Sequence, residues 1–429
     1  ADYFAFDYDG CRFVALNAQL INSGLAAEEE QCAWLEKEAA STSGKRWFLF
    51  LHYPPYVSDH RELGSYDNID EPGRSWLLDL IRNYAPEGIF AGHVHNFWYD
   101  VIGTSEMYLL PATSFLRHDY SEMFKTTPVE EFGRNDTSKF GFFLVDVHEA
   151  GHVAQFVRTD GATLAENEKL PPPVPRVPAV HTRTNAVAKV GVDLRHPWAE
   201  LVEIAATGGV QEFERKLARN DYPLLALWEM GVRKLRIPMQ DLLDRRVRDR
   251  MRMLRQMGHE FLVYSYDVPN DEAQRILRES SGLVTAIEVV LPWTRLASVL
   301  GKLAAIRASS KVEIFVSKLR THEDAKFDGS RFSHFINHGF HVAETHQLNE
   351  LFALADARIA IDGVSFRVSR RDSVFETFKE LSRHGSEFGF KPLAHVRLAS
   401  DHPGDAMDND SANACRVAET VMAAAVEPR

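Results

Sequence analysis

Short apolar runs punctuate residues 1–160, and their length marks strands rather than helices. They fall at Phe4–Phe6, Arg12–Leu16, Trp47–Leu51, Ile89–Ala91, Met107–Leu110, Phe140–Val147 and Val153–Val157. Short helices are expected between them. After residue 186 apolar strand patterns alternate with helical ones. Strands are expected at Lys189–Leu194, Arg233–Pro238, Glu260–Tyr266, Thr285–Leu291, Val312–Val316, His341–Thr345, Ala357–Ile361 and Ala394–Leu398. Helices are expected at Asp241–Met257, Asp271–Glu279, Arg295–Ala308, Ser373–Arg383 and Ser411–Ala425. Eight strands with intervening helices in about 240 residues is the arithmetic of a (β/α)8 barrel. An open doubly wound sheet is the alternative, and no glycine-rich phosphate loop supports it. Between the two patterns, Pro171, Pro172, Pro173, Pro175 and Pro178 make residues 161–185 a stiff, extended spacer. The expected fold class is therefore α/β and α+β in two domains, 1–160 and 186–429.

Composition narrows the function. A length of 429 residues with 45% hydrophobic content supports more than one sizeable core. The formal net charge of −12 argues against a general nucleic-acid-binding surface. Cys11, Cys32 and Cys415 are odd in number and scattered, the usage of a reduced, cytoplasmic protein rather than of a disulfide framework. No run is long and apolar enough for a membrane span.

Two of the expected strands end in histidine. Trp47–Leu51 delivers His52, and Ile89–Ala91 leads into Gly92-His93-Val94-His95. Neutral imidazole is the commonest metal ligand, and a strand end holds it with little freedom. The glycine permits a tight turn. A single histidine beside a strand is more often a satisfied core or surface residue, so spacing alone leaves both readings open. The loop Val57–Arg74, with Asp59, His60, Arg61, Tyr66, Asp67 and Asp70, is long for a connector and reads either as a rim or lid or as a solvated loop. Arg117 and His118 can contact a phosphate or serve structure. In the second domain the expected strand ends carry Asp193, Arg195, His196, Arg236, Asp267, Glu288, Lys318, Glu344, His346, Asp362 and Arg397. Such a ring suits an anionic ligand, and Lys318 with a lowered pKa can form a Schiff base. Strand-end charges that merely face solvent are the competing reading.

Phe-Leu-His-Tyr-Pro-Pro at 50–55 and Ala-Gly-His-Val-His-Asn at 91–96 resemble the calcineurin-like metallophosphoesterases. The resemblance covers residues 1–160. Tyr8–Leu16 leading into Asn17, and the helix with Gln31, Trp34 and Leu35, fit the same order. The resemblance implies a β-sandwich flanked by helices and a centre of two metal ions, Mn, Fe or Zn. His52 and His93 would then ligate one ion and His95 the other, with Asn96 and Tyr99 on the substrate side. That family's Asp-X-His, Gly-Asp-X-X-Asp and Gly-Asn-His motifs, which supply the bridging Asp and the leaving-group His, are expected before Ala1. The chain is accordingly expected to be the C-terminal part of a longer protein, and no catalytic residue is assigned within it. The implied activity is hydrolysis of a small phosphomonoester or phosphodiester by a metal-activated hydroxide. The alternatives are a lyase, aldolase or isomerase borne by the barrel, acting on an anionic substrate, and a non-catalytic ligand-binding barrel.

Overall fold

A computed structural model describes residues 2–42, 44–114, 116–117, 120, 139–159, 185–194, 198–205, 215–320, 337–398 and 408–427. His118, Arg195, His196 and most of the proline spacer lie outside the described residues. The chain divides into two compact units, one drawn from Ala1–Pro178 and Pro197–Glu229, the other from Ala179–His196 and Met230–Arg429. Among the described residues, no helix is long and apolar enough to cross a membrane.

The first unit is built on a six-stranded sheet. Its strands are β1 (Phe4–Tyr8), β2 (Cys11–Ala15), β3 (Arg46–Leu51), β4 (Gly88–Ala91), β5 (Trp98–Ile102) and β6 (Ser105–Leu109), ordered β1-β2-β3-β4-β6-β5. β2, β3, β4 and β6 run parallel, while the outer pairs are antiparallel. β5 lies outside the strands expected above, because Asp100 and the short turn to β6 break its apolar run. On one face the period of two points Leu49, Leu51, Ile89, Ala91, Met107 and Leu109 toward helices α1 (Ala26–Ser41) and α2 (Gly73–Tyr84). Leu35 and Ala39 of α1 and Leu77 and Ile81 of α2 complete that core. The opposite face carries an aromatic ladder. Phe6 stacks on Phe13, Phe50 on Phe90 and Phe90 on Tyr108, with centroids 5.1–5.2 Å apart. Hairpin β7 (Gly141–His148) and β8 (Gly151–Arg158) covers the β4–β6 end of this face through Phe143 and His152.

The chain then contributes β9 (Gly191–Asp193) to the second unit and returns to the first with hairpin β10 (Val202–Ala205) and β11 (Arg215–Ala218), followed by α3 (Tyr222–Glu229). The apolar pattern placed this stretch with the barrel. Its contacts explain why it belongs to the first unit. The Asp221 carboxylate accepts from the Tyr99 amide at 3.0 Å and from Arg219, and the Trp98 indole donates to the Arg219 carbonyl at 2.7 Å.

In the second unit, seven parallel strands stand in the order β18-β17-β15-β14-β13-β12-β9, with the two-residue β16 (Asn337–His338) antiparallel beside β15. These are β12 (Lys234–Pro238), β13 (Glu260–Tyr266), β14 (Ala286–Pro292), β15 (Glu313–Arg320), β17 (Gly363–Val368) and β18 (Lys391–Val396) together with β9. Each new strand joins on the same side of its predecessor, which is barrel-type winding and not the reversal of a doubly wound sheet. No pairing between β18 and β9 occurs among the described residues, so the sheet is a half-barrel. Ile287, Val289, Ile314 and Val316 point outward, where α7 (Trp293–Ser310) packs Leu296, Val299, Leu300 and Leu303. The remaining helices are α4 (Met239–Leu243), α5 (Arg245–Gln256), α6 (Asp271–Glu279), α8 (Thr345–Ala353), α9 (Ala357–Ala360), α10 (Val374–Phe388) and α11 (Asp410–Val426). Asn270 and Ser373 cap α6 and α10 by accepting from backbone amides three residues on.

Two of the strands expected here are corrected. His341–Thr345 is a loop that enters α8, and Ala357–Ile361 is mostly helix α9. Ala is the best helix former, and Asp-Ala-Arg-Ile-Ala follows it rather than the apolar count. The strand sits just beyond, at Gly363–Val368.

Candidate functional sites

In the first unit the register fixes the histidines. Leu51 pairs with Ala91, so β3 and β4 end side by side. The Gly92 amide donates to the His52 carbonyl at 3.0 Å and locks the two ends together. The chain then turns sharply: His93 and His95 have φ of 68° and 53°, left-handed conformations that L-residues rarely adopt. Strain of this kind concentrates at functional sites. Its result is that His52 Nε2 lies 3.1 Å from His93 Nδ1. His93 Nε2 lies 2.8 Å from the Tyr66 carbonyl. A carbonyl only accepts, so the His93 proton sits on Nε2 and Nδ1 presents its lone pair toward His52. Burial pushes His93 down to about 4, and it is neutral at neutral pH. His95 is lowered too, by burial and by the charges of Arg117 and His52.

Beside this pair Asp67 is nearly inaccessible. It accepts from Tyr120 Oη at 2.6 Å and pairs with Lys216 at 2.5 Å and with Arg117. Burial opposes its ionisation, but Lys216 and Arg117 outweigh burial and hold it below the usual carboxylate range. Arg117 also lies over the rings of Tyr66 and Tyr120. Asn96 is buried, and its Oδ1 has no hydrogen-bond partner among the described residues. Tyr99, expected on the substrate side, is instead fully buried against Trp228 and Tyr108. It is a core residue, packed edge-on to both rings.

In the second unit the strand residues of one parity converge on the concave face. Glu288 of β14 is fully buried, with Oε1 2.9 Å from His395 Nε2 of β18 and 3.6 Å from His338 Nδ1 of β16. Its Oε2 accepts from Arg236 Nε of β12 at 2.6 Å. Arg236 also pairs with Asp193 at 3.0 Å and lies 3.8 Å over the Tyr264 ring. Ser317 Oγ is 2.9 Å from His338 Nδ1. Burial disfavours the Glu288 anion, yet His395, Arg236 and His338 outweigh it and hold this carboxyl well below its ordinary range. Burial pushes His338 down to about 3. Glu288, His338 and His395 form a group whose geometry can hold a metal ion.

Of the expected barrel residues, Asp193, Arg236 and Glu288 come together here. Lys318 and Glu344 do not join them. Lys318 has the opposite parity to Ser317 and meets Glu344 at 3.0 Å and Gln347 at 3.1 Å, with Arg320 on the other Glu344 oxygen. His346 is exposed on α8. His338 and His395 were not singled out from the sequence. The signal for His395 was its parity with the strand-end charges, and for His338 there was none, because its neighbourhood read as the approach to a strand.

No family model and no curated protein matches this chain. Among solved structures, similarity is found to a chain described as "GAP50 the anchor in the inner membrane complex of Plasmodium", at 14% identity and a TM-score of 0.25. It covers 36% of this chain and 49% of that one, so the match spans about half of that protein's length. A likeness this low carries no argument about fold or function.

Proposed function

We propose that the first unit serves a metal-dependent phosphoesterase acting on a small phosphomonoester or phosphodiester. One observation carries the reading: two neutral-capable imidazole nitrogens, from two adjacent parallel strand ends, lie 3.1 Å apart. Zinc–imidazole bonds of about 2.0–2.1 Å in a tetrahedral shell put neighbouring nitrogens about 3.3 Å apart. The hydrogen bond from His93 to the Tyr66 carbonyl is the outer partner that orients metal-ligating histidines. The pair therefore fits two ligands of one ion.

A second ion fits less well. Among the described residues, no further His, Cys or carboxylate joins His52 and His93 to make a group of three. Among the described residues, His95 stands as the candidate for that ion. Mn, Fe or Zn suits such nitrogen-rich ligation, and a bound ion supplies Lewis acidity toward a phosphoryl oxygen. The chain's own contribution is charge and orientation. Arg117, whose charge reaches both His93 and His95, sets a cation beside the pair, and the turn at Gly92 fixes both imidazoles.

The site is read as incomplete in these 429 residues, so the test is turnover of nitrophenyl phosphate and its diester by the full-length protein, with Mn, Fe and Zn supplied in turn. Hydrolysis that His93→Ala abolishes is expected. Absence of turnover with every metal sinks the reading.

A further inference from the structure

We infer that Glu288, His338 and His395 of the second unit hold a single divalent transition-metal ion of the zinc class. The site is separate from the histidine pair of the first unit and does not rest on it. The carboxylate is already divided for this task. Arg236 occupies Oε2 at 2.6 Å, which leaves Oε1 as a monodentate ligand facing both imidazoles. Hydrogen-bonding the idle oxygen of a ligating carboxylate is the usual outer-sphere arrangement. Distances of 2.9 and 3.6 Å from Oε1 to the two nitrogens bracket the edge of a tetrahedron around zinc.

Three strands far apart in sequence supply the ligands. β14 and β18 are separated in the sheet by β15 and β17, so only the curvature of the half-barrel brings them together. A fully buried carboxylate facing two half-buried imidazoles is costly unless something compensates its charge. Arg236 answers only part of this, because Asp193 shares it. A divalent ion at Oε1 would add positive charge directly at the buried carboxylate. Two nitrogens and one oxygen select zinc, cobalt or iron over calcium or magnesium. Three protein ligands leave a fourth position for water or for an oxygen of an anionic ligand, with Arg236 and Ser317 next to it.

The test uses the full chain carrying His52→Ala and His93→Ala, so that the first unit's pair cannot contribute. After chelator treatment it is titrated with Co(II) and followed by visible absorption, with metal content measured after desalting. One equivalent of Co(II) with the strong visible bands of a tetrahedral ion is expected, and adding His395→Ala should remove it at unchanged circular dichroism. His338→Cys should keep the ion and add a thiolate-to-cobalt charge-transfer band. This second variant decides the matter if His395→Ala does not fold. The inference is overturned if the double variant binds no cobalt, if His395→Ala retains it, or if the His338→Cys complex lacks the new band.

Discussion

Replacing Asp221 by alanine should strongly destabilise the first unit. Asp221 is fully inaccessible and Arg219 is 4% exposed. The pair is bidentate, at 2.7 and 3.0 Å, and the same carboxylate accepts from the Tyr99 amide of β5. Removing one partner of a buried ion pair costs about 3–5 kcal/mol, because the other charge stays buried and unmatched. The orphaned Tyr99 amide adds about 1–3 kcal/mol. The two losses share one site and are not additive, so a total of about 4–5 kcal/mol is expected. The two units need not unfold together, so a local probe is required. Amide hydrogen exchange of a peptide spanning Trp98–Ile102, followed through a urea series, reports on β5 directly. The Asp221→Ala variant should lose protection there at much lower urea than the parent. The double variant Arg219→Met with Asp221→Ala should recover part of the loss. A change below about 1 kcal/mol in the single variant would refute the reasoning, since a buried charge could not then be unmatched.

His152 provides a pH test. Its ring bridges Glu87 at 2.9 Å and Glu106 at 3.2 Å. Burial lowers its pKa, but the hydrogen bonds to Glu106 and Glu87 outweigh burial and raise it above 6.5. The folded value exceeds the unfolded one, so this stabilisation is complete below pH 6.5 and fades as pH rises through the folded value. The denaturation midpoint of the first unit should therefore fall on the alkaline side, and His152→Gln should flatten that slope. Gly363→Ala should destabilise the second unit by about 1–3 kcal/mol in thermal unfolding, the usual cost of overpacking. The added Cβ would stand 2.2 Å from the Phe315 ring and 2.6 Å from the Lys391 carbonyl. If a phosphate ester is the substrate, Lys216→Ala should raise its KM more than it lowers kcat, because one of the cations gathered at Asp67 is removed.

The apolar pattern shows most of this architecture. β3 and β4, with their histidines, lie where the runs Trp47–Leu51 and Ile89–Ala91 place them. Helix α6 matches its expected span at both ends. The misses have physical causes. Ala357–Ile361 is apolar but alanine-rich, so helix propensity decides it. The assignment of residues 198–229 to the first unit depends on the Asp221–Tyr99 bond, a contact between residues 122 apart that no local pattern records. Lys318 and Glu288 both lie within strands of one sheet, but parity separates them: one faces α8 and the other the concave side. His338 enters its cluster only through the curvature of the sheet.

The most direct measurement of the central claim is the imidazole nitrogen NMR of His52 and His93 during zinc titration. Before zinc, His93 should be a neutral ring protonated on Nε2, as its bond to the Tyr66 carbonyl dictates. With zinc, His93 Nδ1 and His52 Nε2 should shift together and saturate at the same zinc ratio. Nitrogen signals of both rings that do not move with zinc would contradict the account.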